Sequence, residues 1–169
     1  MTILATLLGC ASAKPKIETV KQIDINRFMG TWYVIAAIPT FIEKNSFNAI
    51  ETYKLNGDGT IDTTFTFNQG SLSGSLKTYH PKGFIVEGTG NAIWGMQFIW
   101  PIKAEYLIAH IDDDYTQTII ARNARDYVWI MARTPELSDD AYADLTKKIT
   151  NMGYDISGLR KVPHNHSLK

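Results

Sequence analysis

Gly30-Thr31-Trp32-Tyr33-Val34-Ile35-Ala36-Ala37-Ile38, followed by Pro39, is the stretch that decides the fold of this 169-residue chain. Its β-branched and aromatic residues favour a strand, and Pro39 removes the backbone donor that a longer ladder would need. A single helical turn with Asp24 as its N-cap precedes the strand, and Gly30 lets the backbone swing from one into the other. We therefore expect the turn and a buried Trp32 to close one end of a β-structure.

Composition narrows the class of protein. The formal net charge is zero and the isoelectric point is near 6.9, so the chain lacks the basic footprint of a nucleic-acid-binding protein and no nucleic-acid partner is expected. The length suits one domain that is large enough to enclose a cavity.

Strand patterns follow one another at short intervals along the chain. Asn56-Gly57-Asp58-Gly59 is a strong hairpin signal, and the strand after it alternates apolar and polar residues. The strand segments after the first are 48–55, 60–68, the short pair 75–79 and 83–87 around a His80-Pro81-Lys82 corner, 91–100, 105–112, 116–122 and 127–133, which makes eight or so strands. No helical pattern separates them, so we predict an all-β fold, an eight-stranded antiparallel up-and-down β-barrel, with a flattened sandwich as the alternative.

One helix is predicted after the last strand. Ser138 can cap it, and Tyr142, Leu145, Ile149 and Met152 form one apolar stripe. This C-terminal α-helix is expected to pack on the outside of the barrel. The barrel and helix together are predicted to span residues 22–160, and residues 161–169 a flexible polar tail.

The N-terminus reads as a processing segment. Residues 1–9 are apolar and uncharged, too short for a transmembrane helix, and lead into Leu7-Leu8-Gly9-Cys10. This run resembles the lipobox of bacterial lipoproteins, whose cysteine is acylated by fatty acids such as palmitate. No basic residue precedes Cys10, so either the signal is unusually short or the natural start lies upstream. Residues 10–21 are then the acylated cysteine and a tether; the alternative is a stray cysteine in an apolar leader.

Three later motifs resemble those of the lipocalins, in the same order. They are Gly30 and Trp32 in the first strand, Asp112 and Tyr115 between two late strands, and Arg133 after the last strand. Together with the lipobox they resemble the bacterial outer-membrane lipoproteins of this family that are related to apolipoprotein D. The resemblance implies a barrel in which Arg133 stacks across Trp32 at the closed end, a structural rather than ligand-binding role.

Alternation along the strands indicates which side chains face inward. The candidate cavity-lining residues are Tyr53, Phe65, Phe67, Trp94, Met96, Phe98, Tyr106, Ile108 and His110. The same side chains could pack as a solid core, and a single β-bulge would invert the faces. The resemblance favours the cavity.

By resemblance, such a cavity would hold fatty acids or lysophospholipids. An acyl chain of about 16 carbons offers on the order of 13 kcal/mol before ordering costs, at roughly 0.8 kcal/mol per methylene. Tyr53, Tyr106 or His110 would orient the polar end. The expected protein stores or carries lipid in envelope maintenance or stress, and is anchored through several acyl chains on Cys10 to the periplasmic face of an outer membrane. The sequence leaves open whether it forms a homodimer.

Catalysis is the competing hypothesis, on a lipid or isoprenoid; a solid-cored interaction module is a third. The only cysteine lies in the leader, which excludes thiol catalysis in the barrel, and no Gly-x-Ser-x-Gly elbow supports a serine acting with His80 or His110. His164-x-His166 lacks a third metal ligand nearby, and Asp112-Asp113-Asp114 does not follow calcium-loop spacing. We therefore expect no enzyme, metal or cofactor.

Overall fold

A computed structural model describes residues 14–165 and shows a closed antiparallel β-barrel. Its elements are α1 (Ile25–Phe28), β1 (Gly30–Ile38), β2 (Ser46–Leu55), β3 (Thr60–Gln69), β4 (Ser75–Tyr79), β5 (Lys82–Ile85), β6 (Ile93–Ile99), β7 (Ile102–Ile111), β8 (Gln117–Ala121), β9 (Val128–Ala132), α2 (Asp139–Asn151), a 3-10 turn (Ile156–Gly158) and β10 (Arg160–Lys161). β4 and β5 both pair with β3 and flank Pro81, so they occupy one barrel position in two pieces. The eight-stranded barrel with one C-terminal helix is thus confirmed.

β1 closes the barrel because it pairs on both sides. Its first half pairs with β2, and its second half pairs with β9. Tyr33 belongs to both ladders, opposite Ile50 on one side and Ala132 on the other. Closure leaves neither end strand of the meander with an open edge.

The C-terminal segment extends the sheet where β1 and β2 diverge. β10 pairs with Ala36 and Ala37, and the amide of Val162 then donates to the Ile35 carbonyl. The buried His164 ring lies with its Nε2 2.9 Å from the Val34 carbonyl oxygen. Residues 161–165 are therefore part of the barrel wall, which differs from the flexible tail expected from residue 161. Backbone hydrogen bonds to distant strands hold these residues in place, although their polar sequence alone does not predict an ordered element.

The N-terminal segment is also packed, although it was expected to be a tether. The amide of Ile17 donates to Asn123 Oδ1 (2.7 Å), and Arg125 Nη2 donates to the Pro15 carbonyl (2.6 Å). Farther along, the amide of Val20 donates to the Ile108 carbonyl. Residues 14–23 thus run down the outside of the barrel, from the β8–β9 turn to α1.

Two apolar layers sandwich one side of the barrel wall. Inward side chains form the core inside the barrel, and outward side chains of β7, β8 and β9 pack against α2. α2 begins at Ser138, whose hydroxyl accepts the Ala141 amide, and buries Leu145 and Ile149 in the outer layer. Because this stripe faces the sheet, the helix lies outside the barrel, as predicted. Within residues 14–165, no helix combines the length and apolarity needed to cross a membrane.

The two ends of the barrel differ. At the closed end, α1 and the turns 56–59, 86–92 and 112–116 cover the interior, and Asp24 caps α1 by accepting the Asn26 and Arg27 amides. The mouth end carries the connections 39–45, 70–74, 100–101 and 122–127. Side chains from several of these connections border the cavity described next.

Candidate functional site

A cavity of about 250 Å³ occupies the mouth half of the barrel. Its walls are mostly apolar and come from β2, β3, β6, β7, β8 and β9, with the connection 39–45 at the mouth. The lining residues are Thr40, Phe41, Ile42, Glu43, Glu51, Phe65, Met96, Phe98, Ile99, Ile102, Ala104, Glu105, Tyr106, Ile120, Arg122, Tyr127, Trp129 and Met131.

Four of the residues proposed from alternation line this cavity: Phe65, Met96, Phe98 and Tyr106. Met96 lies opposite Ala104 across the β6–β7 ladder, and both face inward. Phe98 stands at the mouth and is half-exposed. Neighbouring strands therefore contribute apolar side chains at successive depths.

Four others face the interior without lining the cavity. Trp94 stacks on Tyr106 with ring centroids 5.0 Å apart, and also contacts Tyr53 at 5.7 Å. Ile108 is fully buried in the same core, and Phe67 packs against Phe65 and Tyr79. The interior is thus divided into a solid aromatic floor toward the closed end and a cavity above it, so the two readings of the sequence each describe one half.

His110 lies on the outside of the barrel, contrary to the alternation in the sequence. The β7–β8 register shifts between Ile108 and His110, and this β-bulge places two residues in a row on the outer side. Ile108 pairs with the inward Ile120, whereas His110 pairs with Ile119 of the outer layer. Burial lowers the pKa of His110, and Lys148 of α2 lowers it further. His110 cannot orient a ligand in the cavity.

Glu43 is an acidic cavity residue that sequence reasoning did not identify. It lies in the connection 39–45, yet it is buried. Trp129 Nε1 donates to both carboxylate oxygens at 3.1 and 3.2 Å, and the amide and hydroxyl of Thr40 donate to Oε1. Burial raises the pKa of Glu43, although these bonds oppose the rise. The carboxylate thus ties the mouth connection to β9.

Glu51 is the second acidic residue missed from the sequence. It lies on β2 between the inward residues Trp32 and Phe65 of the neighbouring strands. The Tyr53 hydroxyl donates to Glu51 Oε2 in a short hydrogen bond, and the Tyr53 and Tyr106 hydroxyls are 2.8 Å apart. Its spacing of two residues from Tyr53 on a predicted strand was the available signal, because such residues share one face.

Burial raises the pKa of Glu51 to about 7; the Tyr53 hydrogen bond opposes this rise and the nearby Glu43 carboxylate adds to it. The folded protein therefore keeps a proton on Glu51 that the unfolded chain loses near the ordinary pKa of 4.5. The contribution of this group to stability is complete below pH about 4.5 and is lost as the pH rises to about 7.

A Glu51→Gln variant should escape this loss because its amide cannot ionise. We expect its free energy of unfolding to gain on that of the wild type as the pH rises from about 4.5 to about 7. The gain should reach at most about 3 kcal/mol, at 1.36 kcal/mol for each pKa unit. Urea unfolding at a series of pH values measures it. Glu87→Gln, at an exposed carboxylate, should keep the wild-type pH profile, and parallel profiles for all three proteins would contradict the assignment.

Arg122 is a cationic cavity residue at the mouth. Its Nη1 forms an ion pair with Asp126 at 3.2 Å, and its guanidinium lies 5.3 Å from the Tyr127 ring centroid. Its buried Nε has no hydrogen-bond acceptor among the residues that the structure describes. Since a buried donor without a partner is costly, this atom is suited to meet an anionic group of a ligand.

The residues of the three sequence motifs lie together at the closed end. The Arg133 guanidinium stacks 3.8 Å from the Trp32 ring and donates to five backbone carbonyls, those of Arg27, Phe28, Met29, Thr31 and Tyr115. Gly30 has a φ of 92°, in the left-handed region that favours glycine, although a Cβ at this position would make only an ordinary contact with Arg133, 3.5 Å from its Nη1.

Asp112 and Tyr115 order the turn beside this cluster. The Asp112 carboxylate accepts the amides of Thr116 and Gln117 at 2.7 and 2.8 Å, and the Tyr115 hydroxyl accepts the Asp24 amide at 2.8 Å. These contacts join the β7–β8 turn to α1 at the closed end, whereas the cavity lies in the mouth half.

Two predicted features fall at the limits of the structure. Cys10, the proposed acylation site, and His166 lie outside the described residues. Between residues 14 and 165, no three His, Cys, Asp or Glu side chains are grouped so that they could hold a metal ion.

Comparison with known proteins gives consistent matches over most of the chain. The lipocalin-like domain family matches residues 23–164. Temperature-induced lipocalin-1 of Arabidopsis thaliana is 34% identical over 164 residues, covering 90% of this chain and 85% of the relative. The outer membrane lipoprotein Blc of Escherichia coli K12 is 27% identical over 155 residues, covering 89% of this chain and 86% of Blc.

Among solved structures, insecticyanin of the tobacco hornworm Manduca sexta superposes with a TM-score of 0.71 at 17% identity. The match covers 90% of this chain and 87% of insecticyanin. At this identity the likeness concerns the barrel fold alone.

Proposed function

Because this chain belongs to the lipocalin family, we propose that it binds one single-chain lipid, a fatty acid or a lysophospholipid, in the barrel. The observation that carries the proposal is the apolar cavity of about 250 Å³ above a solid aromatic floor. Each buried methylene of an acyl chain would contribute about 0.8 kcal/mol.

The size of the cavity favours a slim ligand. Its volume lies just below the range of roughly 300–1,000 Å³ that is typical of small-molecule pockets. The aromatic floor of Tyr53, Trp94 and Tyr106 limits its depth. An acyl chain fits such a space better than a bulky ring system.

The charges lining the cavity suggest how the lipid is oriented. Glu43 and Glu51 would disfavour a ligand carboxylate or phosphate beside them, because whenever either side chain is ionised the like charges repel strongly where water is excluded. Arg122 offers its unpartnered Nε at the mouth. We propose that the tail lies inside and that the anionic group meets Arg122.

A binding role is favoured over a catalytic one. The acidic side chains of the cavity are held by their neighbours, Glu43 by Trp129 and Thr40, Glu51 by Tyr53, and Glu105 by Asn123. Such bonds favour a structural part for these carboxylates in shaping the cavity, rather than proton transfer to a substrate.

The cellular place of the protein is proposed from its N-terminus and its relatives. Cys10 follows a run that resembles a lipobox, and the relative Blc of E. coli is named an outer membrane lipoprotein. We propose that Cys10 is acylated and anchors the protein to an outer membrane on the periplasmic side, with a part in envelope maintenance or stress. Mass spectrometry of the membrane fraction would detect the acyl groups, which a Cys10→Ala variant should lack.

Native mass spectrometry tests the proposed ligand. The full chain carrying Cys10→Ala, freed of lipid and then mixed with equal amounts of a fatty acid and the fatty alcohol of the same length, should bind one molecule per chain. It should prefer the acid because only the acid pairs with Arg122. An Arg122→Leu variant should lose this preference and still bind the chain.

Two outcomes would count against the proposal. A folded protein that takes up neither compound would refute lipid binding in the cavity. Equal uptake of acid and alcohol by both proteins would refute the orientation with the anionic group at Arg122.

A further inference from the structure

We propose that the mouth end of the barrel docks directly onto a lipid bilayer through an apolar rim. The apolar rim consists of Phe41, Phe98, Ile99, Trp100 and Ile102. Docking through this rim places the entrance of the cavity against the membrane surface. This inference rests on the proposed function only for its purpose, which is the exchange of lipid between bilayer and cavity.

The apolar rim is a cluster of large side chains exposed to solvent. The exposed fractions are 85% for Phe41, 47% for Phe98, 73% for Ile99, 81% for Trp100 and 69% for Ile102. All of them except Trp100 also line the cavity, so the cluster is continuous with the mouth. An exposed apolar patch of this kind marks an interaction surface, and Trp is enriched where proteins meet the membrane interface.

The β6–β7 hairpin carries most of the apolar rim beyond the barrel wall. Ile99 pairs with Ile102 across its tip, and Trp100 lies in the turn between them. The other large apolar side chains that are exposed within residues 14–165 are Leu72 and Leu76, which lie toward the mouth end on the connection 70–74 and on β4, and Val86 and Ile156. They come from separate elements and do not border the cavity. The concentration at the mouth is therefore specific to that end.

The N-terminal segment points to a membrane as the occupant. Lys14 Nζ donates to the Gly153 carbonyl, and the Pro15 carbonyl accepts from Arg125 in the β8–β9 turn, so the described chain begins at the mouth end. Cys10 precedes Lys14 by four residues, which span at most about 14 Å when fully extended. An acyl anchor on Cys10 would hold the barrel with its mouth toward the bilayer.

Charged side chains are distributed unequally between the two ends of the barrel. Exposed lysines lie at the mouth end, namely Lys14, Lys16 and Lys44. The closed-end turns carry acidic residues instead, namely Asp58, Glu87, Asp112, Asp113 and Asp114. Basic residues near the surface are attracted to anionic lipids. An anionic bilayer offers an apolar layer to the apolar rim and negative charge to the lysines. This distribution of charge between the two ends of the barrel therefore favours a bilayer over an acidic or neutral protein surface, which lacks an apolar layer.

Vesicle binding by the protein without its acyl anchor tests the docking surface. The full chain carrying Cys10→Ala should sediment with vesicles of phosphatidylethanolamine and phosphatidylglycerol. Adding Ile99→Ser and Trp100→Ser should lower the vesicle-bound fraction by about tenfold or more, because both side chains leave the interface. The matched control is Val86→Ser, an exposed apolar residue of the closed end, which should bind vesicles as the parent does.

The fluorescence of Trp100 reports whether this side chain enters the bilayer. Lipids brominated on the acyl chain should quench part of the tryptophan fluorescence of the parent, and a Trp100→Phe variant should lose this quenching while it still sediments with vesicles. Because these residues are exposed, circular dichroism should show the same fold for every variant.

The outcomes separate docking from ligand binding. Equal sedimentation of the Ile99→Ser/Trp100→Ser variant and the Val86→Ser control would overturn the proposal, and so would a parent that does not bind vesicles but self-associates through the apolar rim. Fatty acid uptake measured without vesicles should be unchanged in a Trp100→Ser single variant, whose vesicle binding should also fall, because Trp100 is exposed and does not line the cavity. A protein that docks through the apolar rim and takes up no fatty acid would refute the proposed function and leave the docking surface standing.

Discussion

An Arg133→Ala variant is expected to lose about 4 kcal/mol of its free energy of unfolding. Arg133 donates to five carbonyls of α1, β1 and the β7–β8 turn, at 2.7 to 3.2 Å, and stacks on the fully buried Trp32. Hydrogen bonds from a charged donor contribute about 1.5–3 kcal/mol each, and the cation–π contact adds about 1 kcal/mol. Water can reach part of this site and will replace some of the bonds, which brings the sum down.

Equilibrium unfolding in urea measures this loss, and two variants calibrate it. Arg133→Lys keeps the charge but lacks the planar fork that reaches several carbonyls, so an intermediate loss is expected. Arg27→Ala removes another closed-end guanidinium, which lies 4.1 Å from the Tyr115 ring and donates one hydrogen bond to the Asp113 carbonyl, and should cost less than about 1 kcal/mol. Equal losses of unfolding free energy for Arg133→Ala and Arg27→Ala would show that Arg133 is not the main contact that holds α1 against the barrel.

An Ala104→Trp variant is expected to weaken lipid binding by at least about 100-fold, which corresponds to about 2.7 kcal/mol. Ala104 lies on β7 opposite Met96 and lines the cavity. An indole group there would fill much of a cavity of about 250 Å³ and take the place of several methylenes of the ligand. At about 0.8 kcal/mol for each methylene, excluding three or four of them accounts for the loss.

Isothermal titration with a fatty acid measures the change in affinity. Gln97→Trp is the control, because Gln97 pairs with the exposed Lys82 on the outer side of the neighbouring strand. It adds the same side chain outside the barrel and should bind as the wild type does. Unchanged affinity in a folded Ala104→Trp variant would place the ligand outside this cavity.

Alternation predicted the inward faces well wherever the strands are regular. Phe65, Met96 and Tyr106 face inward as their spacing indicates. His110 does not, because the bulge after Ile108 turns it outward. A bulge depends on how two strands pair, so the sequence of one strand contains little signal for it.

The sequence could not predict how far from the mouth of the barrel each inward residue lies. Trp94 and Tyr53 have the same character as the lining residues, yet they form the floor because Phe28 of α1 packs against both. Glu43 and Glu51 come close together only when the mouth connection folds over the barrel, and the Glu43 carboxylate then adds to the burial that raises the pKa of Glu51.

The strand order, the caps of α1 and α2 and the position of the helix outside the barrel could be predicted from the sequence, because periodicity and capping act within a few residues of the chain. The motif residues of the closed end were indicated by the resemblance to the lipocalins. Three features follow from the folded chain alone: where the solid core stops and the cavity begins, on which face His110 lies, and that Lys14 lies at the same end as the apolar rim. These features depend on register and closure between strands that are distant in sequence, where the free energy comes from packing rather than from local preference.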